Sequence, residues 1–211
     1  MLSFFSFKPK IISSRQSKFS GLLEVVDFWG DKYIATGNLT QSGSLIVDVW
    51  HPVLKKLGNP KHKNWLILGL AGGSVARLIS QKYVPTSITG VEIDPVMLEL
   101  GREYLNLDKI PKLQIINADA KEYIKSSKLY DFILVDLYLG DKLPSFVYTA
   151  TFIDNLKKTL YPDGTIVFNH LFFTQSYKLA AEGLIAQLEK KFKSVKLVHA
   201  LTNILIICSV S

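Results

Sequence analysis

Residues 65–80, WLILGLAGGSVARLIS, decide the fold of this chain. Four apolar residues, Trp65 to Leu68, stop at Gly69, and Gly72 and Gly73 precede a helix-like stretch from Ser74 to Ser80. A short apolar run bounded by glycine reads as a buried strand. A glycine just after it lets the backbone turn sharply, and further glycines let a ligand press against the main chain. The helix start then offers unpaired N–H groups to an electronegative group. The order Gly69-x-x-Gly72-Gly73 is not the G-x-G-x-x-G of dinucleotide folds, and no Gly-Lys-Ser/Thr follows. Taken alone, the turn also fits a ligand-free strand-to-helix corner.

Working outward, strands and helices alternate. Helix 74–83 leads to strand 87–93, and Asp94-Pro95 opens a helix to about Leu105 as N-cap and first-turn proline. Strand 113–116, a short helix 120–125, the apolar strand YDFILVDL at 130–137 and helix 149–160 follow. A turn at Tyr161-Pro162-Asp163-Gly164 precedes strand 165–170, and helix 176–192 carries an apolar stripe through Leu184, Leu188 and Phe192. Such alternation builds a parallel sheet covered by helices. The final strands, 195–200 and 204–209, are joined only by Leu201-Thr202-Asn203. A connection that short forces an antiparallel pair, since parallel neighbours need a crossover of about a dozen residues. The predicted fold is therefore α/β, a three-layer sandwich whose parallel sheet ends in an antiparallel hairpin, and by that ending it resembles the Rossmann-like class I methyltransferase type.

Upstream, strands 22–26 and 33–36 flank Gly30-Asp31 as a hairpin. NLTQSGS at 38–44 reads as a polar loop, 45–57 as a helix kinked or started late by Pro52, and 59–63 as a connector. The domain plan is a basic flexible tail at 1–20, a short N-terminal β-hairpin and helix region at 21–63, and the main domain at 64–211. Four cations of the net charge of +7, Lys8, Lys10, Arg15 and Lys18, lie in that tail without an acid. A solvated chain end is the expectation, with no nucleic-acid partner. LSFFSF at 2–7 is too short for a secretory signal, and no apolar run approaches the ~18 residues of a membrane span. The lone cysteine, Cys208, excludes an internal disulfide and suits a reducing compartment. A soluble, cytoplasmic protein is expected. His51, His170 and His199 lack ligand-like spacing, so no metal site is expected.

Three acidic residues end consecutive strands of this plan. Glu92, in VEID, lies 23 residues after Gly69, where a carboxylate can accept hydrogen bonds from both ribose hydroxyls. Asp119, in NADA, fits two roles, accepting from an adenine amino group or capping the next helix. With their neighbours Ile93 and Ala120 they converge on the carboxyl edge of one sheet, where ligands of open α/β sheets sit. Asp136 ends an otherwise apolar strand, and a buried unpaired carboxylate is costly, so it should face a cleft or a cation.

Together these stretches resemble the polyamine aminopropyltransferases, the spermidine synthase family. LILGLAGGSVARLI, VEIDPVMLELGREYL, NADAKEYI, YDFILVDLYLGDKLP and LYPDGTIVFN carry the likeness from Leu66 to Asn169. GNLTQSG resembles the family segment whose glutamine touches the aminopropyl donor, which matches Gln41. The resemblance implies a donor site of Gln41, Gly69, Gly72, Glu92, Ile93, Asp119 and Ala120 for decarboxylated S-adenosylmethionine. It assigns to Asp136 the holding and deprotonation of the attacking amine, and implies a homodimer.

Departures from the family share one direction. Ala71 stands where the glycine turn has an aspartate that binds the donor's ammonium and repels the carboxylate of ordinary S-adenosylmethionine. Leu139 replaces the second acid of the D-x-x-D loop. Ile46, Val47 and Trp50 fall where the family's amine pocket has an acidic pair and a tyrosine. The expected function is an aminopropyl transfer to an amine acceptor. The alternatives are methyl transfer from S-adenosylmethionine to an unknown acceptor, and a non-catalytic nucleoside-binding module.

Overall fold

The computed structural model describes residues 8–37, 39–58, 61–126 and 128–210. The 2–7 stretch, Asn38 and part of the 59–63 connector lie outside them. Strands β5 (Asn64–Leu68), β6 (Ser87–Glu92), β7 (Leu113–Asn117), β8 (Tyr130–Val135), β9 (Leu160–Leu171), β10 (Ser194–Ala200) and β11 (Asn203–Ser209) form one sheet. Its order is β10-β11-β9-β8-β5-β6-β7. All pairs from β9 to β7 are parallel, while β11 runs antiparallel to both β9 and β10. The terminal hairpin is thus present, with its last strand on the inside. β11 is buried almost throughout, whereas β10 exposes Lys196, Leu197 and His199 as an edge strand does.

Successive side chains of a strand point to opposite faces, and the apolar run of β5 uses this to build two cores. Trp65 and Ile67 pack with α1 (Ser44–Leu54) and α2 (Ser74–Tyr83). Leu66 and Leu68 pack with α5 (Ala150–Lys158) and α6 (Gln175–Glu189) on the other face. α3 (Pro95–Leu105) and the short α4 (Ala120–Tyr123) complete the helices. Asp94 caps α3 as predicted, its Oδ1 accepting from the N–H groups of Val96 and Met97. α1 runs on through Pro52 to Leu54.

The N-terminal region departs from the sequence plan. It is a four-stranded antiparallel sheet, β1 (Lys10–Ser17), β2 (Gly21–Phe28), β3 (Asp31–Thr36) and β4 (Leu39–Ser42). The expected hairpin is its centre. Residues 10–17 of the expected tail form β1, which pairs antiparallel with β2, and its side chains find partners some 80 residues downstream on and before α3. Arg15 pairs with Glu103 and, at 3.7 Å, with Glu99. The Ser17 hydroxyl donates to buried Asp94 Oδ2 at 2.6 Å, and Ser20 does so at 2.7 Å. β4 falls within the expected polar loop: four residues of mixed character carry no strand periodicity. Leu23, Val25 and Ile34 bury against Met97 and Leu100 of α3, closing the small sheet onto the large domain.

Candidate active site

A cavity of about 490 Å³ lies along the carboxyl edge of the large sheet, a size suited to a small molecule. Its lining follows the strand order. Asp119 and Ala120 after β7, Glu92 and Ile93 at β6, and Gly69 with Ala71 after β5 form one half. Asp136 and Tyr138 after β8, Asn169 and Leu171 on β9, and Leu201 to Asn203 of the terminal turn form the other. Gln41 of β4 also borders it, its Nε2 donating to the Gly140 carbonyl at 3.2 Å across the cavity rim.

The glycines of the corner have separate tasks. Gly69 has φ 89°, and a Cβ there would lie 2.1 Å from the Asp136 carbonyl oxygen. Only glycine lets the ends of β5 and β8 meet so closely. Gly72, expected beside the donor, is not among the lining residues. A Cβ there would stand 2.6 Å from Leu105 Cδ1 and 2.8 Å from Ser42 Oγ, so its smallness serves helix packing. Between them, Ala71 takes the left-handed conformation, φ 48°, usually left to Gly, Asn or Asp. Its N–H donates to Glu92 Oε2, 2.9 Å away.

Glu92 faces the cavity with Oε1 accepting from the Asp94 N–H at 2.9 Å. Burial pushes its carboxyl above the usual range, opposed by the N–H groups of Asp94 and Ala71. Each oxygen holds one N–H and keeps capacity for another donor. Asp119 caps α4 through the Lys121 N–H at 2.8 Å and also lines the cavity, so its two expected roles do not exclude one another.

Asp136 anchors a polar chain that the sequence reading missed. Its Oδ2 accepts from Trp50 Nε1 at 2.9 Å and its Oδ1 from Asn169 Nδ2 at 2.8 Å. Asn169 Oδ1 accepts from Asn203 Nδ2 at 2.8 Å, and Asn203 Oδ1 from the Thr202 hydroxyl at 3.0 Å. Burial raises the Asp136 carboxyl above its ordinary value, and the Asn169 and Trp50 donors pull it back. Tyr138, whose oxygen accepts from the Leu171 N–H at 2.7 Å, is held firmly in its phenol form by burial. The sequence carries no local signal for Asn169: it meets Asp136 because β8 and β9 pair Val135 with Phe168 in the assembled sheet, which makes the next residues of each strand neighbours. His170 is a satisfied structural residue, with Nε2 2.8 Å from the Tyr148 hydroxyl and Nδ1 2.6 Å from the Leu171 carbonyl. No metal-binding group of His, Cys, Asp or Glu occurs among the described residues.

Sheet order, the reversed strand and a carboxyl-edge cleft bordered by Glu92 define a class I methyltransferase-type α/β fold. Residues 48–207 match the spermine/spermidine synthase domain, and the chain belongs to that family. It is 35% identical over 117 residues to a polyamine aminopropyltransferase of Vibrio vulnificus, covering 54% of this chain and 39% of that protein. It is 28% identical over 177 residues to an eEF1A lysine and N-terminal methyltransferase homolog of Drosophila pseudoobscura pseudoobscura, covering 78% of this chain and 26% of that protein. The chain thus spans less than half the length of either relative. The spermidine synthase of Thermotoga maritima shares the fold, with TM-score 0.77 and 19% identity over 96% of this chain and 73% of that one.

Proposed function

We propose that the chain transfers an aminopropyl group from decarboxylated S-adenosylmethionine to an amine. One observation carries the reading: a carboxylate held by two N–H donors, Asp136, borders the same cavity as Glu92, with the Gly69 corner between them. Glu92 and Asp119 would take the ribose and adenine, flanked by Ile93 and Ala120. Gln41 and the corner at Gly69 would border the sulfur end. The donor supplies a carbon made electrophilic by a positive sulfur. As the amine nitrogen bonds to it, the C–S bond breaks and its electron pair stays on sulfur. Asp136 would orient the incoming ammonium and accept its proton, since a protonated amine is no nucleophile. A cytoplasmic location, read from the lone Cys208, and a homodimer, carried over from the family resemblance, belong to the same proposal.

A second reading, methyl transfer from S-adenosylmethionine itself, is favoured by Ala71. With alanine at position 71, the corner lacks the aspartate that in the family repels a donor carboxylate, and such repulsion is half of donor specificity. The methyltransferase homolog aligned over 78% of this chain points the same way. Calorimetry with S-adenosylmethionine, its decarboxylated form, methylthioadenosine and NAD separates the readings. Preference for the decarboxylated donor supports aminopropyl transfer. Equal or tighter binding of the carboxylated donor transfers support to methylation, and no nucleoside binding leaves a non-catalytic module.

A further inference from the structure

The strand order divides the cavity at Asp136. Glu92 and Asp119 lie on the β6 and β7 side, beyond the Gly69 corner. On the β9 and β11 side the wall is Leu171 with Ile46 and Val49 of α1, which packs on α2, β4, β10 and β11, and the exposed Leu45 and Leu201 form its rim. No Lys, Arg or His and no carboxylate other than Asp136 lines that half among the described residues. Its polar side chains already bond to the protein, Thr202 to Asn203, Asn203 to Asn169, Asn169 to Asp136, and Tyr138 to the Asn169 carbonyl and the Leu171 N–H. An ammonium entering this half finds one anionic partner, at Asp136, and an uncharged wall beyond it.

We infer that the acceptor is a monoamine: one cationic nitrogen at Asp136 and an apolar chain against the α1 and β9 wall. The inference rests on the amine-transfer reading above and deepens it. A second ammonium carried against the buried Leu171 and Val49 would lose water without gaining an anionic partner, which is costly for a charge. An alkyl chain of the same length gains from the contact instead, in proportion to the apolar area it covers.

The test needs no variant. The chain, saturated with methylthioadenosine, is titrated calorimetrically with n-butylamine and putrescine, and then with n-hexylamine and hexamethylenediamine. Within each pair the chains are equal in carbon number, and only the second nitrogen differs. Each monoamine is expected to bind at least about tenfold tighter than its diamine, since an unpartnered buried charge forfeits a factor of ten or more. Diamines binding equally or better overturn the inference and leave amine transfer standing. Binding of neither amine to the nucleoside-loaded chain overturns both. An Ile46→Asp variant, which places a carboxylate on that wall, is expected to narrow the preference by about tenfold. An unchanged ratio would remove α1 from the acceptor site.

Discussion

A methyl group added at Gly69 tests the corner most directly. In the Gly69→Ala variant the new Cβ would fall 2.1 Å from the Asp136 carbonyl oxygen and 2.7 Å from its carbon, both backbone atoms that no rotamer change can move. The backbone there also has φ 89°. A left-handed alanine costs about 1–2 kcal/mol. Forcing two packed strand ends apart adds about 1–3 kcal/mol, the usual range for overpacking. The sum is about 2–5 kcal/mol, a large share of the ~5–15 kcal/mol that stabilises a domain. Thermal unfolding should drop by roughly 4–20 °C for a chain of this size. Gly140 supplies the control, with φ 66° and nothing within 4 Å of an added Cβ. Gly140→Ala should therefore cost only the conformational part, about 1–2 kcal/mol. Both variants are measured by urea unfolding with the slope checked for constancy. Because the displaced atoms belong to Asp136, Gly69→Ala should also weaken amine binding in the folded fraction. Equal losses for the two variants would refute the close approach of β5 and β8.

Asp136→Asn should lower turnover by at least about a hundredfold, the contribution of a positioned base, with donor affinity by calorimetry nearly intact. It should also cost about 1–3 kcal/mol of stability, because one oxygen cannot accept from both Trp50 and Asn169 and the amide opposes one donor with another. Burial raises the Asp136 carboxyl above 3.8, so the folded chain holds that proton more tightly than the unfolded chain. Its contribution to stability is therefore fully present below that value and lost as pH rises through the raised one, the interval over which the ionised form required by the proposed base role appears. Asn169→Ala removes a donor that lowers this carboxyl, so the acidic limb of the rate profile should move to higher pH; an unmoved limb would detach Asn169 from Asp136. Ala71→Asp should shift calorimetric preference toward the decarboxylated donor, and Ala71→Gly should stabilise the fold by about 1 kcal/mol by releasing a left-handed alanine. No shift in donor preference would separate position 71 from the sulfur end of the site.

What could be read from the sequence alone was encoded locally. A strand buried on both faces writes itself as a short apolar run, and glycine marks where it must turn, so WLILG, VEID, NADA and LVDL announced four strand ends on one edge. Three residues between the last strands sufficed to reverse one of them. Glu92 and Asp119 fall on that edge by sequence alone, and Asp136 ends an apolar strand where a carboxylate has to face a cleft or a cation.

Only the tertiary structure decided how residues distant in sequence meet. Arg15 and Ser17 looked like a frayed tail until α3 brought Glu103, Glu99 and Asp94 to them. The close approach of Leu105 and Ser42 to Gly72 is a packing constraint that the glycine motif does not reveal. Trp50 and Asn169 flank Asp136 from α1 and β9, 86 and 33 residues away, and no local pattern carries such a pairing. Periodicity and turn chemistry report whether a residue is buried and how the backbone bends. Which donors meet a buried carboxylate depends on sheet order and helix docking, and these are set by the packing of the whole chain.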